Sequence, residues 1–265
     1  MFEFHSDKKR YFDIQKIVTQ EDVIPFIESE MGPVKGKNVL EIGCAEAGVL
    51  KAFIDHGNYG VGVELAESRF LLAREFLASD IEHGKAQIYN KNIYDVEDVV
   101  KEFGCLFDVI ILKDVIEHIP EQEKFIPWLK SFLSQGGCVF FAYPPWMMPF
   151  GGHQQICNHK LLRTLPWFHL LPVSLYELVL KSFGEKEGTI RELLEVKSTG
   201  INIERMYKIL NTSGYTSMKE SFWFTNPIYK FKFGFKKSHV YTFLTKVPIL
   251  RNFVTTAHYV LFKVK

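Results

Sequence analysis

The stretch Val39-Leu40-Glu41-Ile42-Gly43-Cys44-Ala45-Glu46-Ala47-Gly48 constrains this chain more than any other. An apolar run that reads as a strand enters a turn of small residues and leaves it as a helix. Such a turn brings backbone N–H groups close to a ligand, because no bulky side chains stand in the way. Many folds contain one, so the next acidic residue decides its use. Tyr59-Gly60-Val61-Gly62-Val63-Glu64 is a second buried-type strand, ending in a carboxylate 23 positions after Glu41. An acid about 20 residues beyond a glycine turn can accept both hydroxyls of a ribose. The pair points to a nucleoside cofactor.

Strand and helix periods alternate from there. A helix over about 47–56 precedes the 59–64 strand, and a helix over about 67–82 follows it, with Leu71, Leu72, Phe76 and Ser79 at helical spacing. A third strand is expected near 86–90, a short helix from Asp95 to Phe103, and a fourth strand at 107–113. A helix over 121–134, ended by Gly136-Gly137, leads to a fifth strand at 138–143. This alternation predicts a parallel sheet with helices on both faces. Upstream, Thr19-Gln20-Glu21-Asp22 reads as the capping-box start of a helix over about 20–31, stopped by Gly32-Pro33. The pattern breaks over 144–200, which holds Pro144, Pro145, Pro149, Pro166 and Pro172 and two helical patches at 174–183 and 189–196. A helix from Ile203 to Leu210, strand character from Tyr215 to Gly234, and a terminal strand from His258 to Val264 complete the chain.

The chain resembles the class I S-adenosylmethionine-dependent methyltransferases. Glu41-Ile42-Gly43-Cys44 matches the family's opening motif, and Glu64 sits where its ribose-binding acid sits. Phe107-Asp108-Val109-Ile110-Ile111-Leu112-Lys113-Asp114-Val115-Ile116-Glu117-His118 is similar to the fourth-strand block, which often ends Leu-Glu-His. Gln135-Gly136-Gly137-Cys138 resembles the turn into the fifth strand. The four blocks stand in the family's order over roughly 37–143. The resemblance implies an α/β, Rossmann-like sheet of seven strands, the last two forming a hairpin, with a lid insertion after the fifth strand. It divides the chain into an N-terminal helical leader (1–36), a cofactor-binding core (37–143), a substrate-binding lid (144–200) and a C-terminal helix and strand hairpin (201–265). It implies S-adenosylmethionine as cofactor, with Glu41, Gly43, Cys44 and Ala45 at the methionine end and Glu64 and Leu65 at the ribose. Asn92 and Ile93 would meet the adenine, and Leu112 and Lys113 would pass beside the methionine part. Leaders in this family often fold over the cofactor, as Tyr11 could here; an ordinary surface helix is the other reading. The family usually carries glycine at Ala45 and Ala47, where alanine tolerates positive φ less well. Those two alanines favour the alternative class, a non-catalytic Rossmann-like binding or scaffold protein.

Two histidines are candidates for catalysis. His118 follows the fourth strand together with Asp114 and Glu117, and could line the acceptor pocket or take its proton. His153 lies in Pro149-Phe150-Gly151-Gly152-His153-Gln154-Gln155, where the glycines let backbone approach a ligand. His153 is the first candidate base and His118 the second. The run from Tyr143 to Pro172 also resembles inserts of methyltransferases from sugar and surface-polysaccharide gene clusters, as the core resembles the ubiquinone-biosynthesis type. The resulting expectation is methyl transfer, at oxygen, to a small-molecule or glycan acceptor, lipid-linked acceptors included. Tyr143-Pro144-Pro145-Trp146 is similar to the motif with which DNA-base methyltransferases grip a flipped base, but it follows the fifth strand rather than the fourth.

Composition narrows the rest. A chain of 265 residues, 47% hydrophobic and 24% charged, suits one α/β domain with an insertion. A net charge of +1 gives no general attraction to nucleic acid. Cys44, Cys105, Cys138 and Cys157 have no metal-ligand spacing and read as reduced thiols, so no metal site is expected. Met1 to Arg10 is too polar for a signal peptide, and no apolar run is long enough to span a bilayer, which makes a cytoplasmic location the expectation. From Lys230 to Lys265 basic residues alternate with aromatics and no acid occurs. That mixture suits single-stranded nucleic acid, or an anionic lipid-linked substrate at a membrane surface, although Lys230-Phe231-Lys232-Phe233 is also what a half-buried strand gives.

Overall fold

The computed structural model describes residues 7–265; the first six residues of the expected leader lie outside them. The strands are β1 (Asn38–Ile42), β2 (Tyr59–Glu64), β3 (Ala86–Asn90), β4 (Phe107–Lys113), β5 (Leu133–Tyr143), β6 (Tyr215–Thr225), β7 (Ser238–His239) and β8 (Ala257–Val264). They form one sheet in the order β3-β2-β1-β4-β5-β8-β6-β7. The first five strands are parallel, and β8 runs antiparallel between β5 and β6. The sheet thus has eight strands where seven are expected. The extra one is short: as the chain returns past β6, Ser238 and His239 pair with Thr225 and Trp223, and the His239 ring stacks on Trp223 at 3.9 Å.

Period-two alternation assigns the two faces. Leu40, Ile42, Val61, Ile110, Leu112, Val139 and Phe141 pack under Phe103, Phe125, Phe132, Met206 and Ile209 on one side. Val39, Val109, Ile111 and Phe140 pack under Phe12, Phe26, Ile27, Leu50 and Phe53 on the other. Strands buried on both faces read as continuous apolar runs, which is why their periods are so clear in the sequence.

Three local expectations are corrected. Thr19-Gln20-Glu21-Asp22 does not start a helix. A helix from Lys8 to Val18, capped by the Asp7 carboxylate on the Arg10 amide, runs on through a π-turn over Thr19–Val23 into Ile24–Met31. The Thr19 hydroxyl donates back to the Gln15 carbonyl at 2.8 Å instead of capping forward. Strand character in Tyr215 to Gly234 stops at Thr225, because Asn226-Pro227 turns the chain and Tyr229–Phe233 is a helix. The alternation at Lys230-Phe231-Lys232-Phe233 therefore lies on helical turns, not on a sheet edge. Last, β6 and β8 are neighbours but not a tight hairpin, since 226–256 lies between them.

Residues 144–200 carry helices at Lys160–Thr164, Val173–Ser182 and Glu187–Thr199 around a small apolar core of Cys157, Leu162, Phe168, Tyr176, Leu180 and Leu193. The four cysteines are unpaired. Among the described residues no helix is long and apolar enough to cross a membrane.

Candidate functional site

The order of the strands reverses between β1 and β4, and a crevice of about 390 Å³ opens at their carboxyl ends. Its floor is the turn after β1. Gly43, Ala45 and Ala47 all adopt left-handed backbone, with φ of 69°, 50° and 64°. The two alanines thus take the conformation that glycine takes most readily, at a cost of roughly 1–2 kcal/mol each. The surroundings hold them there: the amides of Gly43 and Cys44 donate to the Val63 carbonyl, and the Ala45 amide donates to Glu64 at 2.8 Å. A side chain at Gly43 would put its Cβ 2.7 Å from Val115.

Buried carboxylates organise this end. Glu64 is 7% exposed, and its two oxygens accept from the amides of Ala45 and Ala66, each at 2.8 Å. A carboxylate oxygen accepts more than one hydrogen bond, so Glu64 keeps capacity for a ligand. Glu41 accepts from the Leu50 amide in the first turn of the next helix; burial pushes its carboxyl up to about 8, against the pull of that amide. Glu46 is buried against Lys8 at 2.8 Å.

Glu41, Gly43, Cys44, Ala45, Glu64, Leu65, Asn92, Ile93 and Lys113 all line the crevice. Leu112 does not. Its side chain is fully buried in the apolar layer that also holds Ile110, Ile116 and Phe141. Asn92 caps the short turn Ile93–Asp95 through the Tyr94 amide, leaving its own amide group beside the crevice.

Several wall residues were not among the candidates from sequence. Lys8, Phe12 and Gln15 stand with Tyr11 on one face of the helix Lys8–Val18 and roof the crevice. Their 3–4–7 spacing is the signal that could have found them. Tyr11, the leader residue singled out in advance, is there, hydrogen-bonded to Gln15 at 2.7 Å. Arg69 and Asp114 complete the rim.

The far end is polar. Lys113 is almost fully buried and donates to Asp114 at 2.8 Å, and Asp114 itself sits in left-handed backbone at φ 57°. Burial alone would drive both groups toward neutrality, yet their mutual attraction raises Lys113 and lowers Asp114 from their ordinary values. Next come Glu117, His118 and His153. The His118 and His153 rings are 4.9 Å apart, and His153 Nε2 is 4.0 Å from the Glu117 carboxylate. His118 lines the crevice, whereas His153 stands behind it on the segment after β5. Burial lowers both imidazoles, His153 to about 4. Burial, reinforced by Asp114, pushes Glu117 well above the carboxylate range.

Two neighbouring features have structural work. Gln154 is fully buried and donates to the carbonyls of Pro149 and Leu165 inside its own segment, not toward the crevice. Trp146 packs edge-on to His169, accepts that ring's hydrogen bond at its carbonyl, and fills the space above Gly200. The aromatic residue of the Pro-Pro-aromatic stretch is thus engaged in packing within its own segment.

A methyltransferase domain family matches residues 19–172, more than half of the chain. A ubiquinone biosynthesis O-methyltransferase of Coxiella burnetii is 29% identical over 121 residues, covering 45% of this chain and 48% of that protein. The protein of the same description from Idiomarina loihiensis is 28% identical over 197 residues, covering 65% of this chain and 79% of its own length. The chain thus spans about half the length of the first of these relatives. Among solved structures, a magnesium protoporphyrin IX methyltransferase from Synechocystis PCC 6803 with bound SAH superposes with a TM-score of 0.56 at 12% identity, over 100% of this chain and 89% of its own. A plantazolicin methyltransferase in complex with SAH gives 0.57 at 12% identity, over 99% and 90%. With a matching family model over 19–172, a crevice at the strand switch point and the opening motif in place, the chain belongs to the methyltransferase domain family, as its resemblance to the class I enzymes led one to expect.

Proposed function

We propose that this chain is an S-adenosylmethionine-dependent methyltransferase that methylates an oxygen of a small-molecule acceptor. The observation that carries the reading is the composition of one crevice. At one end are a left-handed small-residue turn and the Glu64 carboxylate; at the other are Asp114 and His118, with His153 behind. The residues present fit the cofactor. Glu64 has acceptor capacity for both ribose hydroxyls, the turn holds no side chain larger than Glu46, and Asn92 offers an amide to the base. Solved proteins of the same fold hold SAH, and the curated relatives are named as O-methyltransferases. The alanines that favoured a scaffold have lost that weight, since they adopt the glycine-like conformation.

The cofactor supplies an activated methyl on a sulfonium. This chain must hold it, align the acceptor oxygen behind the methyl and exclude water, and alignment alone can supply about 7–11 kcal/mol. Lys8, Tyr11 and Phe12 roof the methionine side; Glu64 and Leu65 flank the ribose. We assign His153, and after it His118, to the acceptor hydroxyl. Residues 144–200 act as the lid, carrying His153 on a turn just past β5. Small phenolic, glycan and lipid-linked acceptors remain within this reading; relatives named for ubiquinone biosynthesis weigh toward the first and last.

Calorimetric titration with S-adenosylmethionine tests the core claim, and transfer of a labelled methyl to a panel of phenols and sugars tests the acceptor. Saturable binding with label on oxygen is expected. No heat at millimolar cofactor would overturn the reading in favour of a scaffold.

A further inference from the structure

Every buried acid at the cofactor end has a partner: Glu41 takes an amide, Glu64 takes two, and Glu46 faces Lys8. Glu117 is the exception. It is 3% exposed, and neither carboxylate oxygen has a hydrogen-bond partner. A buried carboxylate in that position is costly unless it is protonated, paired or bound to a metal. What it faces is a pair of imidazoles. One donor atom each from Glu117, His118 and His153 lies within 4.8 Å of the others.

The backbone delivers these groups by design of the turn. His153 is held in left-handed conformation at φ 55°, and a side chain at Gly152 would put its Cβ 2.2 Å from His169, so the turn cannot relax by simple substitution. Strained residues that persist mark positions that the surrounding structure dictates. Local spacing does not bring this set together, because His118 and His153 are 35 positions apart and meet only when the segment after β5 folds beside the loop after β4.

We propose that Glu117, His118 and His153 bind a single zinc-class divalent cation, with its open position facing the acceptor. The inference rests on the reading of this crevice as a methyl-transfer site and says how its far end handles the acceptor hydroxyl. Two imidazoles and one carboxylate suit zinc, iron(II), cobalt(II) or nickel(II); magnesium and calcium want oxygen ligands throughout. Donors at about 2.1 Å around a tetrahedral centre are about 3.4 Å apart, so loading draws this set together by roughly 1 Å. The acceptor hydroxyl held at the open position gives its proton to water. Its oxygen forms the new bond to the methyl carbon, the carbon–sulfur bond breaks, and that electron pair leaves with sulfur as the neutral thioether. One proton is released per transfer, and nothing is oxidised or reduced. Because His153 comes from the segment 144–200 and the other two ligands from the loop after β4, the cation also fastens one to the other.

The test uses the whole chain, stripped with chelator and titrated with cobalt(II) chloride and with zinc chloride. Expected are one cation per chain, a visible cobalt absorption of tetrahedral or five-coordinate intensity, and zinc protection of 144–200 from protease without S-adenosylmethionine. Glu117→Gln, His118→Ala and His153→Ala should each weaken zinc binding at least tenfold. Circular dichroism and S-adenosylmethionine affinity, unchanged in Glu117→Gln and His153→Ala, show that those two variants are folded. Cobalt binding with the same affinity and spectrum in all three variants overturns the proposal, as does the absence of stoichiometric binding. If S-adenosylmethionine binds and the cation does not, the cation site alone falls and His153 stands as a direct acceptor of the proton. If neither binds, the reading of the crevice falls with it.

Discussion

The end of the crevice proposed for the cofactor and the end proposed for the acceptor are assembled in opposite ways. At the first, three left-handed residues, three buried carboxylates and a run of amide contacts come from one stretch of about 25 residues, 41–66. At the second, Glu117 and His118 meet a histidine from beyond β5, and Lys232, on the helix Tyr229–Phe233, stands near enough to Asp114 to help lower its carboxyl. The first end is largely local, and each of its buried carboxylates has a partner. The second is built from distant segments and leaves Glu117 unsatisfied. A site that is complete in itself is suited to hold an invariant ligand; one with open valence is suited to act on what is brought to it.

That contrast can be broken most sharply at His153. His153→Ala should slow turnover by about 10²–10⁴-fold while leaving cofactor affinity nearly unchanged, as single-turnover kinetics and calorimetry would show. Near-normal turnover on the true acceptor would reduce His153 to a structural residue and erase the division between the ends. The reverse experiment is Glu64→Ala. Losing hydrogen bonds to a charged acceptor, about 1.5–3 kcal/mol each, should weaken S-adenosylmethionine binding by about tenfold or more and release the Ala45 and Ala66 amides as well. Unchanged affinity would remove Glu64 from the ribose.

A milder probe sharpens the comparison without touching a reacting group. In Gly152→Ala the added methyl meets His169 at 2.2 Å, so the turn that carries His153 must shift. Overpacking of this kind costs about 1–3 kcal/mol. Thermal melting should show the loss, and turnover should fall with cofactor affinity intact; a parallel fall in cofactor affinity would mean the ends are mechanically coupled. The smallest effect belongs to Ala47→Gly, which relieves left-handed strain but adds freedom to the unfolded chain. The net gain should be under about 1 kcal/mol, readable as a slightly raised melting temperature.

The same contrast explains what could be read in advance. β1 to β5 are buried on both faces, so their apolar runs announce themselves, and the pairing of the small-residue turn with Glu64 follows from spacing along one segment. Leu112 and Lys113 are named together by the strand motif, yet only Lys113 lines the crevice, because successive residues of a strand point to opposite faces. A Thr-x-x-Asp pattern such as Thr19 to Asp22 reads identically at a helix start and inside a π-turn; only the packing of Phe12 and Val23 on the sheet settles which it is. The pairing of His153 with Glu117 was illegible for a different reason, since no local period links positions 36 residues apart.

One packing contact has a consequence for the order in which the molecule is made. The roof helix Lys8–Val18 does not rest on the core alone. Ile14 and Val18 bury Ile228, Tyr11 and Phe231 join that cluster, and Glu21 and Asp22 pair with Lys230 and Lys237. Segments more than 200 positions apart thus clasp each other over the crevice. On the ribosome, β1 to β5 with the small-residue turn and Glu64 emerge long before residue 228, and domains fold in the order in which they appear. For most of that interval the nascent core presents an open cleft, and its roof helix lacks half of its apolar seat. Contacts of such long sequence separation are slow to form. Closure over the cofactor is therefore among the last events of folding, and a ribosome-stalled chain ending before residue 226 should exchange its cofactor far faster than the finished protein.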